Sequence, residues 1–298
     1  MTPYVLTRIQ GALADPDAPP DLLCEVPHAA WRRAHYDAVR AALVGPLPED
    51  LHEFFHVNTD VGAEALALAV AAALVEADPR RAAVVLACRV PRTFIDCNRV
   101  VDADLQDLQA AGLTAGLPVY VRDPADQALL LDLHRRYVQE AVRLHAWVCG
   151  AGGVAISPHS YAPRTVPIEQ VTERIVDDLR RVYDPAVVDG WPLRPEVDLI
   201  SVDGAGRRVL SDVMVEPALQ GYRALGLDAV EGQTYPLHPA TQAARFAATH
   251  PGRTLCLEIR RDLLVRQWRP FHEMEVDTAA VDRLAGPLVV AVQAGLAS

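Results

Sequence analysis

Residues 22–28, Leu-Leu-Cys-Glu-Val-Pro-His, begin with a short apolar run, 22–26, and end in polar residues. This run is short and nearly all apolar, as expected of a strand buried on both faces of a parallel sheet. The sequence therefore predicts a first buried strand at 22–26. Further predicted strands of the same kind lie at 83–88, 154–156, 199–202 and 254–259.

Longer segments with helical spacing separate or follow these runs, at 63–76, 126–148, 169–182 and 277–294. Apolar residues in the second of them recur close to one helical stripe. Strands that alternate with helices are joined by crossover connections, which place the helices over the sheet. The pattern predicts the α/β fold class.

The length and composition of the chain limit what it can be. Its 298 residues, 51% of them hydrophobic, can bury a large core, and no Pro/Gly/Ser-rich linker divides them, so we expect a single domain over 1–298. The net charge of -11 argues against a nucleic-acid or acidic-membrane partner. The sequence contains no lysine, which excludes a Schiff-base lysine, a P-loop lysine and a carbamylated-lysine metal bridge.

The cysteines and the apolar stretches indicate the cellular compartment in which the protein is expected. The five cysteines are odd in number and lack CxxC spacing, and no secretory signal precedes them, so the sequence predicts a reduced, cytoplasmic protein. The longest apolar stretch, 62–75, is too short to cross a bilayer and contains Glu64. We therefore expect no membrane partner. The sequence does not indicate an oligomeric state.

Polar residues follow two of the predicted strands in a matched way. His28 follows the first strand after a proline, and His159 follows the strand at 154–156, also after a proline. A single histidine in such a position is usually a hydrogen-bonded loop residue, but ligands of open α/β sheets gather at the carboxyl ends of strands. Two matched histidines therefore indicate a zinc site with one position left for water.

A third ligand is best sought in Asn58-Thr59-Asp60. Asp60 could equally cap the helix that follows, because aspartate is a preferred capping residue and its charge suits the helix dipole. His56 is a less favoured alternative ligand, since residues 54–57 are typical of a partly buried segment.

Glu258 lies within the otherwise apolar run 255–259, where an ionised carboxylate without partners is costly to bury. One explanation is an ion pair with an arginine, or a side chain that reaches solvent at a sheet edge. The other is a general base beside a metal-activated water, with partial desolvation tuning its pKa towards neutrality.

The segment 91–99, Pro-Arg-Thr-Phe-Ile-Asp-Cys-Asn-Arg, holds two guanidinium groups, a carboxylate and a carboxamide. Arg99 is suited to bidentate capture of a substrate carboxylate, and Asn98 can add directional hydrogen bonds. Asp96 could orient the arginine, and Arg92 completes the predicted substrate-binding group. A surface salt-bridge loop is the alternative.

These pieces, in this order, resemble the N-formylglutamate amidohydrolase family, which is related in fold to zinc carboxypeptidases and aspartoacylases. The resemblance covers roughly residues 20 to 265, and Ile-Asp-x-Asn-Arg at 95–99 is its most specific part. The matching pieces are Val26-Pro27-His28-Ala29, Asn58-Thr59-Asp60, residues 91–99, Ser157-Pro158-His159-Ser160 and Leu257-Glu258-Ile259.

The resemblance implies a three-layer α/β/α fold around a mixed, mostly parallel sheet. It further implies that Zn²⁺ is held by His28, Asp60 and His159. Arg99 with Asn98 would hold the substrate carboxylate, and Glu258 would activate the water. The loop 235–238 looks like the family's substrate-side loop, so His238 is expected to contact substrate. The implied activity is removal of an N-formyl or short N-acyl group from a small-molecule N-acyl amino acid.

Two departures from the family pattern bear on this expectation. The family usually has glycine two residues after the first histidine, where this chain has Ala30 followed by Trp31, a change expected to narrow the pocket mouth. It often has an acidic residue two positions before the second histidine, where this chain has Ser157. Loss of a carboxylate that supports the site would weaken metal binding or activity.

Two alternatives of other classes remain. One is a repurposed or non-catalytic member that keeps the fold and the metal. The other is a metal-independent hydrolase with Ser160 or Cys97 as nucleophile. The sequence has no G-x-S-x-G elbow, and Asp96 beside Cys97 disfavours a thiolate.

Overall fold

A computed structural model describes residues 1–103, 106, 108, 112–168 and 170–298. Within them, seven strands form one mixed sheet in the order β1-β3-β2-β4-β7-β5-β6. The neighbours β3-β2, β2-β4, β4-β7 and β5-β6 are parallel, whereas β1-β3 and β5-β7 are antiparallel. The strands are β1 (Tyr4–Gln10), β2 (Leu22–Val26), β3 (Ala82–Cys88), β4 (Val154–Tyr161), β5 (Val197–Leu199), β6 (Ala229–Glu231) and β7 (Thr254–Arg260).

The buried central strands agree with the sequence prediction better than the others do. β2, β3 and β7 match within one residue, but β4 continues through Ser157-Pro158-His159 to Tyr161, so His159 lies inside the strand and not after it. β5 is Val197–Leu199 rather than 199–202. It contains Asp198, whose carboxylate accepts hydrogen bonds from the backbone of Gln233 and Thr234, so the charge does not end the strand. The strands β1 and β6 were not predicted.

The described residues form eight α-helices: α1 (Arg33–Arg40), α2 (Leu51–Asn58), α3 (Ala63–Ala77), α4 (Pro124–Cys149), α5 (Ile175–Val182), α6 (Asp212–Ala224), α7 (Gln242–Thr249) and α8 (Thr278–Leu296). They also form two short 3-10 helices, at Val188–Gly190 and Arg261–Leu263. The sequence predicted α3, α4 and α8 closely. It began α5 too early, at residue 169, which lies outside the described residues, and it missed α1, α2, α6 and α7. Side-chain caps mark two of the missed starts: Ser211 accepts from Val213 N before α6, and Thr241 accepts from Ala244 N before α7.

The sheet separates two apolar layers, which confirms the three-layer α/β/α arrangement. Residues of α3, α6 and α8 form the core on one face, together with Leu22, Cys24 and Val26 of β2. Residues of α1, α2, α4 and α5 form the core on the other face, together with Leu23. The alternation along β2 follows from the period-two geometry of a strand. It also places Glu25 on the α4 face. The single-domain organisation stays a prediction.

One described helix, Thr278–Leu296, is apolar and long enough to span a bilayer by composition alone. Its apolar face, including Leu284, Leu288 and Val292, is buried in the core against α3 and α6. It therefore packs as the core helix of a folded domain does.

Candidate metal centre and active site

The candidate site lies where the central strands end. His28 follows β2, residues 91–99 follow β3, and His159 and Glu258 are register partners on the adjacent parallel strands β4 and β7. Side chains of paired residues in a parallel ladder point to the same face of the sheet. The topology thus brings four distant stretches of sequence to one place.

Three side chains converge there on one point. His28 Nδ1 lies 3.1 Å from Asp60 Oδ2, and His159 Nδ1 lies 2.9 Å from the same oxygen. The two Nδ1 atoms are 3.2 Å apart. All three side chains are buried, and together they could hold a metal ion.

The turn at Gly62 separates Asp60 from the start of the helix that follows. Gly62 has φ of +90°, which favours glycine, and a Cβ there would lie 2.6 Å from Leu264 Cβ. Gly62 is also the N-cap of α3, and no side chain caps that helix. The capping alternative for Asp60 is therefore wrong. His56 is buried in α2 and is not part of the cluster, and burial lowers its pKa to about 4.

Asp96 orients the first histidine of the cluster. Its Oδ1 accepts a 2.7 Å hydrogen bond from His28 Nε2 and another from the backbone N–H of Asn98. A proton on Nε2 leaves the Nδ1 lone pair of His28 free to bind a metal. Burial alone would raise the pKa of Asp96, but His28, Arg92 and Arg99 outweigh burial and lower it well below its usual value.

Ser157 and Glu25 orient the second histidine. Ser157 Oγ lies 3.4 Å from His159 Nε2 and donates a 3.0 Å hydrogen bond to Glu25 Oε2, so the hydroxyl oxygen faces the imidazole N–H. Tyr137 of α4 donates to the other oxygen of Glu25. Burial raises the pKa of Glu25, although both hydroxyl groups lower it. Ser157, which stands where the resemblance led us to expect an acidic residue, thus joins His159 to the carboxyl group of Glu25 on β2.

Sequence reasoning missed Glu25, although the sequence contained a usable signal. Glu25 is a carboxylate inside an apolar run of five residues, and it is 1% exposed. The same feature drew attention to Glu258. A buried charge of this kind requires hydrogen-bond partners, and here the partners lie on β4 and α4.

All residues of the segment 91–99 are buried except Arg92, which is half-buried, so a surface salt-bridge loop is wrong for it. Arg92 Nη2 lies 3.0 Å from Asp96 Oδ2, and Arg99 Nη1 lies 3.9 Å from the same oxygen. Asn98 is fixed by the start of α7, because its Oδ1 accepts from the backbone N–H of Ala243. The backbone carbonyl of Arg99 accepts from His134 Nε2 at 2.9 Å. The surrounding helices therefore fix the positions of Asn98 and Arg99.

Glu258 is partly exposed and lines the cavity above the cluster. The edge-strand explanation is wrong, since β7 lies between β4 and β5. In the described part of the chain, no hydrogen-bond partner reaches Glu258 Oε2. Burial raises the pKa of Glu258 to about 7. A carboxyl group with such a pKa can both accept and deliver a proton near neutral pH.

One cavity of about 430 Å³, called here the central cavity, is lined by the cluster, by Glu258 and by the polar residues of the segment 91–99; these residues are called its floor. Arg261 also lines it and donates to the backbone carbonyls of Val57 and Ser160. Burial lowers the pKa of Arg261 to about 10. Sequence reasoning did not single out Arg261, since it follows directly on another arginine at a strand end.

The structure differs from two expectations about residues around the central cavity. His238 is not among the described residues that line the central cavity, although Tyr235 of the same loop is; its Nδ1 accepts from Ala240 N. Trp31 does not narrow the cavity mouth, because it packs against the small apolar cluster of Val61, Val265 and Met274.

The two alternative nucleophiles are not activated. Ser160 Oγ donates to the carbonyl of Val61, and none of its described hydrogen bonds joins it to a histidine. Cys97 is buried, and its contact with Cys88 together with burial raises the thiol pKa well above its usual value. Among the residues that the structure describes, neither side chain has the neighbouring base that a hydrolytic nucleophile needs.

The fold and the cluster define a class of protein: a three-layer α/β protein with a possible metal centre at the carboxyl ends of its central strands. Among solved structures, the chain is similar to N-formylglutamate amidohydrolase from Ralstonia eutropha JMP134, with a TM-score of 0.56 and 18% identity over 99% of this chain and 98% of that one. A gene product from Agrobacterium tumefaciens is also similar, with a TM-score of 0.54 and 18% identity over 100% of this chain and 96% of that one. The fold likeness expected from the sequence is confirmed. No model of a known protein family and no curated protein matches the sequence.

Proposed function

We propose that the protein is a zinc-dependent amidohydrolase that removes an acyl group from an N-acyl amino acid. The observation that carries the proposal is the convergence of His28, Asp60 and His159 beside Glu258 on the floor of the central cavity. The shared fold with an N-formylglutamate amidohydrolase supports the reaction class.

The donor set fits zinc. Imidazole nitrogen and carboxylate oxygen are ordinary zinc ligands, and catalytic sites commonly use three protein ligands. Ligand atoms on one tetrahedral zinc, bound at about 2.0 to 2.2 Å, stand roughly 3.3 to 3.6 Å apart. The separations of 2.9, 3.1 and 3.2 Å in the cluster are only slightly shorter. Asp96 and Ser157 hold both imidazoles in the tautomer that binding requires.

In this proposal each chemical task of the hydrolysis falls to a residue of the floor. Zinc, when bound, would polarise the amide carbonyl and lower the pKa of a water molecule. Glu258 accepts the proton of the attacking water and then delivers it to the leaving nitrogen. Arg99, with Asn98, holds the carboxylate of the amino acid and so fixes the amide over the cluster. Asp96 keeps His28 and the arginines in place.

Metal removal and metal-site variants test this proposal. We expect purified protein to contain zinc, to hydrolyse an N-formyl or N-acetyl amino acid, and to lose and regain this activity when zinc is removed and restored. His28→Ala should abolish zinc binding. His56→Ala is the matched control, because it removes a buried histidine outside the cluster and should retain zinc. Activity that survives exhaustive zinc removal would contradict the proposal and favour a nucleophilic hydrolase. Bound zinc without any amidase activity would favour a non-catalytic role.

A further inference from the structure

The central cavity has a polar floor and apolar walls. Its volume of about 430 Å³ falls in the range of roughly 300 to 1,000 Å³ typical of sites for ligands of drug size. The charged groups described above lie at the floor. Apolar side chains line the walls, among them Phe54, Val57, Val166, Ile168, Val171 and Leu179.

The wall after β4 shows a regular pattern of exposure. Val166 and Ile168 are half-buried and line the cavity, while the alternate residues Thr165 and Pro167 are exposed. Val166 and Ile168 also pack against the core that contains α2 and α5. The segment thus turns its apolar residues inward. Val119 also lines the cavity, and because it is 60% exposed it marks the mouth.

This division of the cavity indicates how a substrate is oriented. Under the proposed function, on which this inference rests, the amino-acid carboxylate and the amide occupy the polar floor. We assign the acyl group, and not the amino-acid side chain, to the apolar walls, along which it extends towards the mouth. A formyl group would leave these apolar walls in contact with water, whereas a hydrocarbon chain would cover them. We propose that the preferred substrates carry an aliphatic acyl chain of medium length.

The competing possibility is an acidic acyl group. Arg164 and Arg194 also line the cavity. Arg164 is paired with Asp189 at 3.0 Å, and the Arg194 guanidinium lies over the rings of Tyr161 and Tyr235. An N-succinyl group could reach Arg194 with its terminal carboxylate, whereas an N-butanoyl group of the same length could not form that ion pair. Comparison of these two acyl groups separates the two possibilities.

The experiment uses zinc-loaded protein and N-acyl glutamates with formyl, acetyl, butanoyl, succinyl, hexanoyl and octanoyl groups. We expect kcat/KM to rise about fourfold for each methylene group that becomes buried, until the chain reaches the mouth. Butanoyl should be preferred to succinyl. Ile168→Asn should lower the hexanoyl-to-formyl ratio of kcat/KM about tenfold. Val187→Asn is the control: Val187 is 44% exposed and is not among the described residues that line the cavity, so this ratio should not change.

Binding measurements separate failure of this inference from failure of the proposed function. The affinity of the same series is measured by calorimetry on the Glu258→Gln variant, in which turnover is suppressed. Affinity that rises with chain length, without turnover by wild-type protein, would overturn the hydrolase and retain the apolar acyl site. Hydrolysis or binding that favours formyl or succinyl would overturn the inference and retain the hydrolase. Absence of any binding would also overturn the inference.

Discussion

Substitution of Ser157 by alanine tests whether the buried Glu25 supports the metal centre. The Ser157 hydroxyl group is the link between Glu25 Oε2, at 3.0 Å, and His159 Nε2, at 3.4 Å. Without it, the imidazole N–H and the carboxylate each lose a partner in a buried environment. The Cys256 thiol, a weak hydrogen-bonding group beside His159, would hold the ring less firmly. Rotation or a change of tautomer would then remove the Nδ1 lone pair from the cluster.

The geometry sets the expected size of the effect. Removal of a hydrogen-bond partner that orients a metal-binding histidine typically weakens metal affinity about 10- to 100-fold. The 3.4 Å separation between Oγ and Nε2 is longer than a usual hydrogen bond, so we expect the lower end, about tenfold, or about 1.4 kcal/mol. Glu25 also loses one donor, which should lower the free energy of unfolding of the zinc-free protein by about 2 kcal/mol.

Zinc affinity measured by competition with a chromophoric chelator checks the first effect, and urea unfolding of zinc-free protein checks the second. Ser160→Ala is the matched control. Ser160 is a buried serine on the same strand, but its hydroxyl donates to the backbone carbonyl of Val61. Its zinc affinity should stay close to that of wild type. Unchanged affinity in Ser157→Ala, or an equal loss in Ser160→Ala, would refute the role of the Glu25–Ser157 pair.

Three further predictions concern the floor of the cavity and one buried histidine. Glu258→Gln cannot accept a proton, so kcat should fall about 100- to 10,000-fold at unchanged zinc content, and unchanged turnover would rule out a base. Arg99→Ala should raise KM for substrates with a carboxylate, and an equal effect on a neutral amide analogue would contradict the clamp. The ring of His145 stacks on the ring of Phe246, with 3.8 Å between the ring centroids, and burial lowers the pKa of His145 to about 4. Below about pH 6.5 this histidine binds a proton in the unfolded chain but not in the folded chain, so the free energy of unfolding decreases as the pH falls. Between about pH 7 and pH 5, urea unfolding should show that wild type loses about 2 kcal/mol more of this free energy than His145→Gln does.

The sequence predicted those parts of the fold whose residues are uniform in character. The strands β2, β3 and β7 are apolar on both faces because helices cover both sides of the sheet, so a run of apolar letters identifies them. β1 was missed because it is an edge strand with mostly exposed residues. β4 was cut short because its last residues carry the polar side chains of the site.

The candidate site was predictable as a set of residues but not as a set of contacts. His28 and His159 stand out by their matched position, and the structure places them with Asp60 in one cluster. No pattern in the sequence distinguishes a capping aspartate from a buried ligand, because both precede a helix. The turn at Gly62 makes the difference, since it moves the start of α3 beyond Asp60.

Position 157 shows what comparison of motifs one position at a time leaves out. Serine there looked like the loss of a supporting carboxylate, yet Glu25 stands beside it in space while lying 132 residues away in sequence. The register of β2 against β4, which pairs Cys24 with Ile156, places the next residues of both strands side by side. A carboxylate at position 157 of β4 could reach the imidazole of His159 directly. A carboxylate at position 25 of β2 reaches it through the hydroxyl group of Ser157. Ser157 and the buried carboxyl group of Glu25 are thus two parts of one arrangement, in which the hydroxyl group gives Glu25 a partner and joins it to His159.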